Sequence, residues 1–165
     1  MSRRAAVAFT GPSNSGKTTL VEKVAKKLIS QKRVAIIKND PKDKAIFDVE
    51  GKDSYKFSQT GAEVVVTSPT RTTYFSQREK TLDDIIGMIN AFDILLVEGL
   101  KTLPLPRIAI FRGEIDESYI AFSEAIAVDR TVDISKYSIP SEISILDLNN
   151  TEQIIEWINK HAKEV

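Results

Sequence analysis

The sequence predicts an α/β fold, a mostly parallel sheet with helices on both faces. Three observations predict it. Short β-branched runs alternate with amphipathic stretches, which is the pattern of parallel βαβ units. Several of those runs are apolar at consecutive positions, as strands covered on both sides require. A glycine-framed segment, residues 11–18, separates the first run from the first amphipathic stretch.

The elements follow in order. Residues 5–9 form a first strand that leads directly into Gly11. Beyond Gly16, apolar residues at Leu20, Val21, Val24, Ala25 and Leu28 trace one face of a helix. A second strand is expected at 34–37. Residues 39–51 are irregular and rich in Lys and Asp, a solvated loop or a mobile segment over a site. Gly51-Lys52-Asp53-Ser54 opens a short helix, with Asp53 or Ser54 as its cap and Gly61 at its end. Strands are expected at 64–67 and 94–97, where Val64-Val65-Val66 and Ile94-Leu95-Leu96-Val97 read as doubly covered. Between them a helix starts near Thr81, which caps it, with Asp83 and Asp84 in a first turn that favours acids. Pro104 and Pro106 enforce an extended path to a strand at 107–111. Strands at 125–128 and 143–147 follow. A last helix, opened by Thr151 and Glu152, carries Ile154, Ile155, Trp157 and Ile158 on its core face.

Composition narrows the function classes. Hydrophobic residues make up 42% and charged residues 28% of the chain, enough apolar material for a core without staples. Formal net charge is zero, with 23 basic and 23 acidic side chains, so bulk attraction to nucleic acid or to an anionic membrane is not expected. The lack of cysteine excludes disulfides, thiolate metal sites and cysteine nucleophiles. His161 is the only histidine and lies near the carboxyl end. The amino-terminal apolar run is too short for a signal peptide, and no stretch approaches the roughly 20 apolar residues of a membrane span. A cytoplasmic protein is expected.

Gly11-Pro12-Ser13-Asn14-Ser15-Gly16-Lys17-Thr18 matches G-x-x-x-x-G-K-[ST] at every fixed position, between an apolar strand and an amphipathic helix. That context makes it a phosphate-binding P-loop, and the whole chain, residues 1–165, reads as one P-loop NTPase-like nucleotide-binding domain. Gly11 and Gly16 permit backbone angles that let successive N–H groups converge on oxygen atoms. Ser13, Asn14, Ser15 and Thr19 complete the cradle around them. Lys17 brings positive charge to the β- and γ-phosphates, and Thr18 offers its hydroxyl to Mg²⁺. Glu98 ends the 94–97 run on the carboxyl edge of the sheet, where ligands bind, and takes the catalytic and metal-holding acid role. Asp93, at the other end of that strand, caps it. Asp40 follows the second strand, either within reach of the metal or as an exposed loop aspartate. Asp129 follows the 125–128 strand. It either accepts N1–H and N2–H of guanine or terminates the strand in a turn, and the Asn-Lys-x-Asp signature of many GTPases is absent.

Beyond the P-loop, Gly51-Lys52-Asp53-Ser54 leading to Gly61-Ala62, and Leu96-Val97-Glu98-Gly99 with Lys101 and Pro104-Leu105-Pro106, resemble one family. It is molybdopterin-guanine dinucleotide biosynthesis protein B (MobB), and the likeness runs in order from about residue 7 to 113. The resemblance implies a homodimeric P-loop protein that binds GTP with Mg²⁺ and hydrolyses it slowly. It also implies partnership with the molybdopterin guanylyltransferase that joins GMP to molybdopterin. One departure stands out. The family commonly has histidines after the second strand, whereas here the stretch reads Lys38-Asn39-Asp40-Pro41-Lys42. The helix entry near Gly51 is either an ordinary capped helix or a second anion site, for instance for the pterin phosphate, with Asp48 and Lys52 as its residues. Two other functions share the P-loop: a small-molecule kinase and a non-catalytic nucleotide-dependent adaptor. A kinase lid usually carries arginines, and none lies between Arg33 and Arg71.

Overall fold

Consecutive apolar side chains from Ala6 to Phe9 make β1 (Ala5–Thr10) a fully enclosed strand, and the rest of the sheet is built outward from it. The computed structural model describes residues 4–89 and 91–165. In chain order the elements are α1 (Lys17–Leu28), β2 (Val34–Lys38), α2 (Asp53–Ser58), β3 (Val64–Thr67), β4 (Thr72–Phe75), α3 (Leu82–Ile89), β5 (Ile94–Glu98), β6 (Arg107–Phe111), β7 (Ala125–Val128), β8 (Ser144–Asp147), α4 (Thr151–His161) and β9 (Lys163–Glu164). They divide into two compact units. One holds the residues up to Asn39 and from Ala91 onward; the other begins at Asp40 and holds those between.

The first unit is a seven-stranded sheet in the order β2-β5-β1-β6-β7-β8, parallel throughout that path. The two-residue β9, not expected from the sequence, pairs antiparallel with β1 at Ala5 and Ala6. Every residue of β5 and β6 is buried, as doubly covered parallel strands should be. On one face lie α1 and α4. Leu20, Val21, Val24 and Leu28 of α1 join Ile154, Trp157 and Ile158 of α4 over Val7, Phe9, Leu96 and Ile108. Burying each large apolar side chain of this set contributes about 1.5–3 kcal/mol. Trp157 is therefore core, with its ring stacked on His161 at 4.5 Å. Asn150 opens α4 by accepting a hydrogen bond from the Gln153 amide. On the other face, two 3₁₀ turns, Glu117–Phe122 and Ile134–Lys136, accompany a cluster around Ala109, Phe111 and Ile126. Asp116 and Asp133 cap these turns through the amides of Ser118 and Ser135.

The second unit contains α2, the antiparallel pair β3–β4, and α3. Thr81 caps α3 as expected, in a reciprocal arrangement: its hydroxyl accepts from the Asp84 amide while Asp84 accepts from the Thr81 amide. Two expectations are corrected here. The Val64-Val65-Val66 run is not doubly covered, since Val65 is 57% and Val66 40% exposed. A β-branched run favours a strand, but burial depends on what packs over it, and β3 pairs only with β4 in a two-stranded sheet. Nor do Asp53 or Ser54 cap α2. Lys52 holds the cap position without a side-chain bond, Asp53 is already helical, and Ser54 donates its hydroxyl to Asp48. β4 escaped the sequence reading because Thr72-Thr73-Tyr74-Phe75 carries little apolar signal.

Candidate nucleotide-binding site

The P-loop turns between β1 and α1 because three of its residues adopt left-handed backbone angles: Gly11 (φ 140°), Asn14 (φ 62°) and Gly16 (φ 98°). Asn tolerates this region better than other side chains. Space adds a strict requirement at Gly11 and a tight contact at Gly16. A Cβ at position 11 would stand 2.4 Å from the Ile110 carbonyl oxygen, and one at position 16 would stand 3.2 Å from the Arg112 guanidinium. Both fixed glycines are thus pressed against the end of β6. Lys17, the first residue of α1, folds back so that Nζ donates to the carbonyls of Gly11 (2.8 Å) and Pro12 (2.7 Å). Burial pushes its pKa below the ordinary lysine value; Glu98 opposes the fall, and Lys38 and Lys101 add to it. An anionic ligand beside it would favour the charged form. Ser15 Oγ is buried inside the loop without a hydrogen-bond partner, and Ser13, Asn14, Thr18 and Thr19 are exposed on its rim.

Glu98 stands where the sequence places it, at the carboxyl tip of β5, level with Phe9 of β1 and Lys38 of β2. Its residue is 8% exposed, and its Oε2 accepts from Lys38 Nζ at 2.7 Å. Thr18, Lys38 and Glu98, with Val21 and Ile36, line one cavity of about 270 Å³. The walls of that cavity are mostly apolar, and Glu98 Oε2 is held by Lys38, so any cation would have to draw on the Thr18 hydroxyl and the remaining Glu98 oxygen, both of the hard-donor type that Mg²⁺ takes.

Asp129 lies just past β7. Its Oδ1 accepts from the Thr131 amide and hydroxyl, so this oxygen closes a turn. Its Oδ2 is 3.6 Å from Arg112 Nε. The Thr131 hydroxyl holds the carboxyl below the usual range, against a smaller opposing effect of burial, with Arg112 and Arg130 assisting. Asp93, at the far end of β5, accepts from the Arg33 amide and guanidinium and is structural. The remaining candidates belong to the second unit. Asp40 accepts from the amides of Lys44 and Ala45 and so shapes its own turn. Asp48 accepts from the Val49 amide and the Ser54 hydroxyl, and its Oδ2 is buried without a partner. Lys52 is exposed at the start of α2.

Three cations beside the loop were not assigned to the site by sequence reasoning, although Lys101 belongs to the motif that carries the resemblance: Lys38, Lys101 (3.9 Å over the Tyr119 ring) and Arg112. The signal for two of them was present. In an open parallel sheet the residues at the carboxyl ends of the strands share the ligand edge, and Lys38 and Arg112 occupy such positions as surely as Glu98 and Asp129 do.

The family model for molybdopterin guanine dinucleotide synthesis protein B, MobB, matches residues 6–130, three quarters of the chain. The chain belongs to the MobB family. The match runs past residue 113, where the visible sequence resemblance ended, and takes in Arg112 and Asp129 together. The chain is 31% identical over 156 residues to the molybdopterin-guanine dinucleotide biosynthesis adapter protein of Haemophilus influenzae, covering 91% of this chain and 85% of that one. Its likeness to the Escherichia coli K12 protein of the same description is 29% over 169 residues, 93% of each. The fold matches the crystal structure of Bacillus subtilis MobB with a TM-score of 0.76 at 23% identity, covering 96% of this chain and 98% of that one.

Proposed function

We propose that this MobB-family chain binds GTP with Mg²⁺ on its P-loop, hydrolyses it slowly, and serves as an accessory protein in the assembly of molybdopterin-guanine dinucleotide. The observation that carries the reading is the phosphate cradle itself. Two glycines are locked against β6, Lys17 is folded over the loop, and Glu98 lines one cavity with Thr18. The converging amides and the amino end of α1 hold the phosphates, and Lys17 exchanges its two carbonyl partners for phosphate oxygens. Thr18 and Glu98 would hold Mg²⁺, whose chemistry is to neutralise charge on the phosphate oxygens. Of the two Asp129 oxygens, Oδ2, which faces Arg112 and is not used in the Thr131 turn, is the acceptor proposed for guanine.

The adapter description carried by the relatives supports a role beside another protein, here the molybdopterin guanylyltransferase, with molybdopterin as the shared substrate. A homodimer in the cytoplasm completes the proposal. No helix among the described residues is long and apolar enough to cross a membrane.

The test is a titration of GTP and ATP in the presence of Mg²⁺ against the wild type and Lys17→Ala. GTP should bind more tightly than ATP. Loss of one charge-assisted hydrogen bond, about 1.5–3 kcal/mol, should weaken GTP binding in the variant by roughly tenfold to a hundredfold. Equal affinity for the two nucleotides would overturn the guanine reading. An unaltered Lys17→Ala affinity would overturn the P-loop assignment.

A further inference from the structure

The carboxyl edge of the sheet sets out the site in a fixed order. Glu98 ends β5, the P-loop follows β1, Arg112 follows β6 and Asp129 follows β7, in neighbouring lanes. A nucleotide with its phosphates on the P-loop and its base toward Asp129 must cross the lane of Arg112. The side chain of Arg112 meets both ends of that path. A Cβ at Gly16 would be 3.2 Å from its Cζ, 3.2 Å from Nη2 and 3.3 Å from Nε. A point equally far from three coplanar atoms that are bonded to one another lies above their plane, not in it. One face of the guanidinium is therefore laid over Gly16, where a Cβ would push it outward by a few tenths of an ångström. The Nε edge is tethered to Asp129 Oδ2 at 3.6 Å. The side chain remains 47% exposed.

From this arrangement we propose that Arg112 is the platform on which the purine base of the bound nucleotide stacks. The inference rests on nucleotide binding at the P-loop and adds a residue that neither the P-loop motif nor the Walker-type acid supplies. A planar cation with one face covered and its edge beside a carboxylate presents its other face outward, which suits a flat π system. Its charge is partly met by Asp129, so it is a poorer phosphate ligand than Lys17. Asp129 gives Oδ1 to its own turn. Oδ2 stays at the rim of the platform, beside the edge of a stacked ring. Gly16 is thereby the bed of the guanidinium, in addition to supplying the backbone angle.

The experiment separates base from phosphate. Wild type, Arg112→Ala, Arg112→Lys and Lys17→Ala are each titrated with GTP and with inorganic tripolyphosphate, both with Mg²⁺. Arg112→Ala should lose roughly three- to thirtyfold in GTP affinity while tripolyphosphate binding is unchanged. Arg112→Lys, which keeps the charge but not the plane, should recover only part of the GTP loss. Lys17→Ala should weaken both ligands, and a wild type that binds neither would defeat the nucleotide reading and the platform together. Equal losses of GTP and tripolyphosphate in Arg112→Ala would make Arg112 a phosphate contact and overturn the platform. So would GTP binding by Arg112→Ala equal to that of a wild type that binds GTP, or full recovery by Arg112→Lys.

Discussion

Glu98 owes its position to β5, whose five residues are all buried, yet it ends that strand as a carboxylate. A charge so enclosed needs a partner, and Lys38 in the neighbouring lane provides it. The lysine itself is 65% exposed, so water takes over if the carboxylate is removed. Glu98→Gln should therefore change thermal stability little, within about 1 kcal/mol on the scale of half-exposed pairs. Mg²⁺-dependent GTP hydrolysis should fall by about tenfold or more, since the acid proposed to hold the metal is gone. Wild-type turnover in that variant would assign the task to another acid. Glu98 and the P-loop residues were legible in the sequence because each is tied to a local pattern: a fixed spacing of glycines, or an acid at the tip of an apolar run. Arg112 shares the strand-tip position, but nothing local to it shows what its side chain meets. Its meaning comes from lying over Gly16, 96 positions earlier in the chain.

Elements were legible to the degree that they bury one continuous stripe. The α1 and α4 faces repeat at helical spacing and end up against β1, β5 and β6, as their periodicity requires. The β3–β4 hairpin was half legible, because only its first arm is apolar. Its two arms are strapped together by Glu63, which accepts from the Tyr74 hydroxyl, the Arg78 guanidinium and the Ser76 hydroxyl. These bonds, Tyr74 foremost and Arg78 next, hold the Glu63 carboxyl down from 4.5 to about 2. A depressed folded-state pKa means the strap is fully formed above the unfolded value and is lost as pH falls through the folded one. The hairpin should thus keep its contacts at pH 4 and lose them near pH 2. Carboxyl chemical shifts of Glu63 followed by NMR against pH read this directly, and a midpoint near 4.5 would refute the strap.

At the scale of the molecule, apolar exposure is uneven. Ile46 (89%), Phe47 (82%), Val49 (65%), Phe57 (59%) and Val65 (57%) all fall in the second unit, where Ile86 alone joins the buried apolar residues among those described. Ile29 (61%) and Phe122 (57%) of the first unit are comparably exposed, and the proposed homodimer would cover part of this apolar surface with a second copy. Light scattering at micromolar concentration should give a dimer, and Phe47→Glu with Val65→Glu should shift it to the monomer. A monomeric wild type would remove the homodimer from the proposal. By itself the sequence determined what depends on neighbours along the chain: the α/β class, the P-loop, the helix faces, and the acid that ends β5. The tertiary structure alone decided what depends on lanes and layers. It brought Lys38 to Glu98 and laid Arg112 between Gly16 and Asp129. It also left the valines of β3 uncovered. Periodicity and spacing report which way a side chain points from its own element, whereas burial and ion pairing depend on which other element lies across from it.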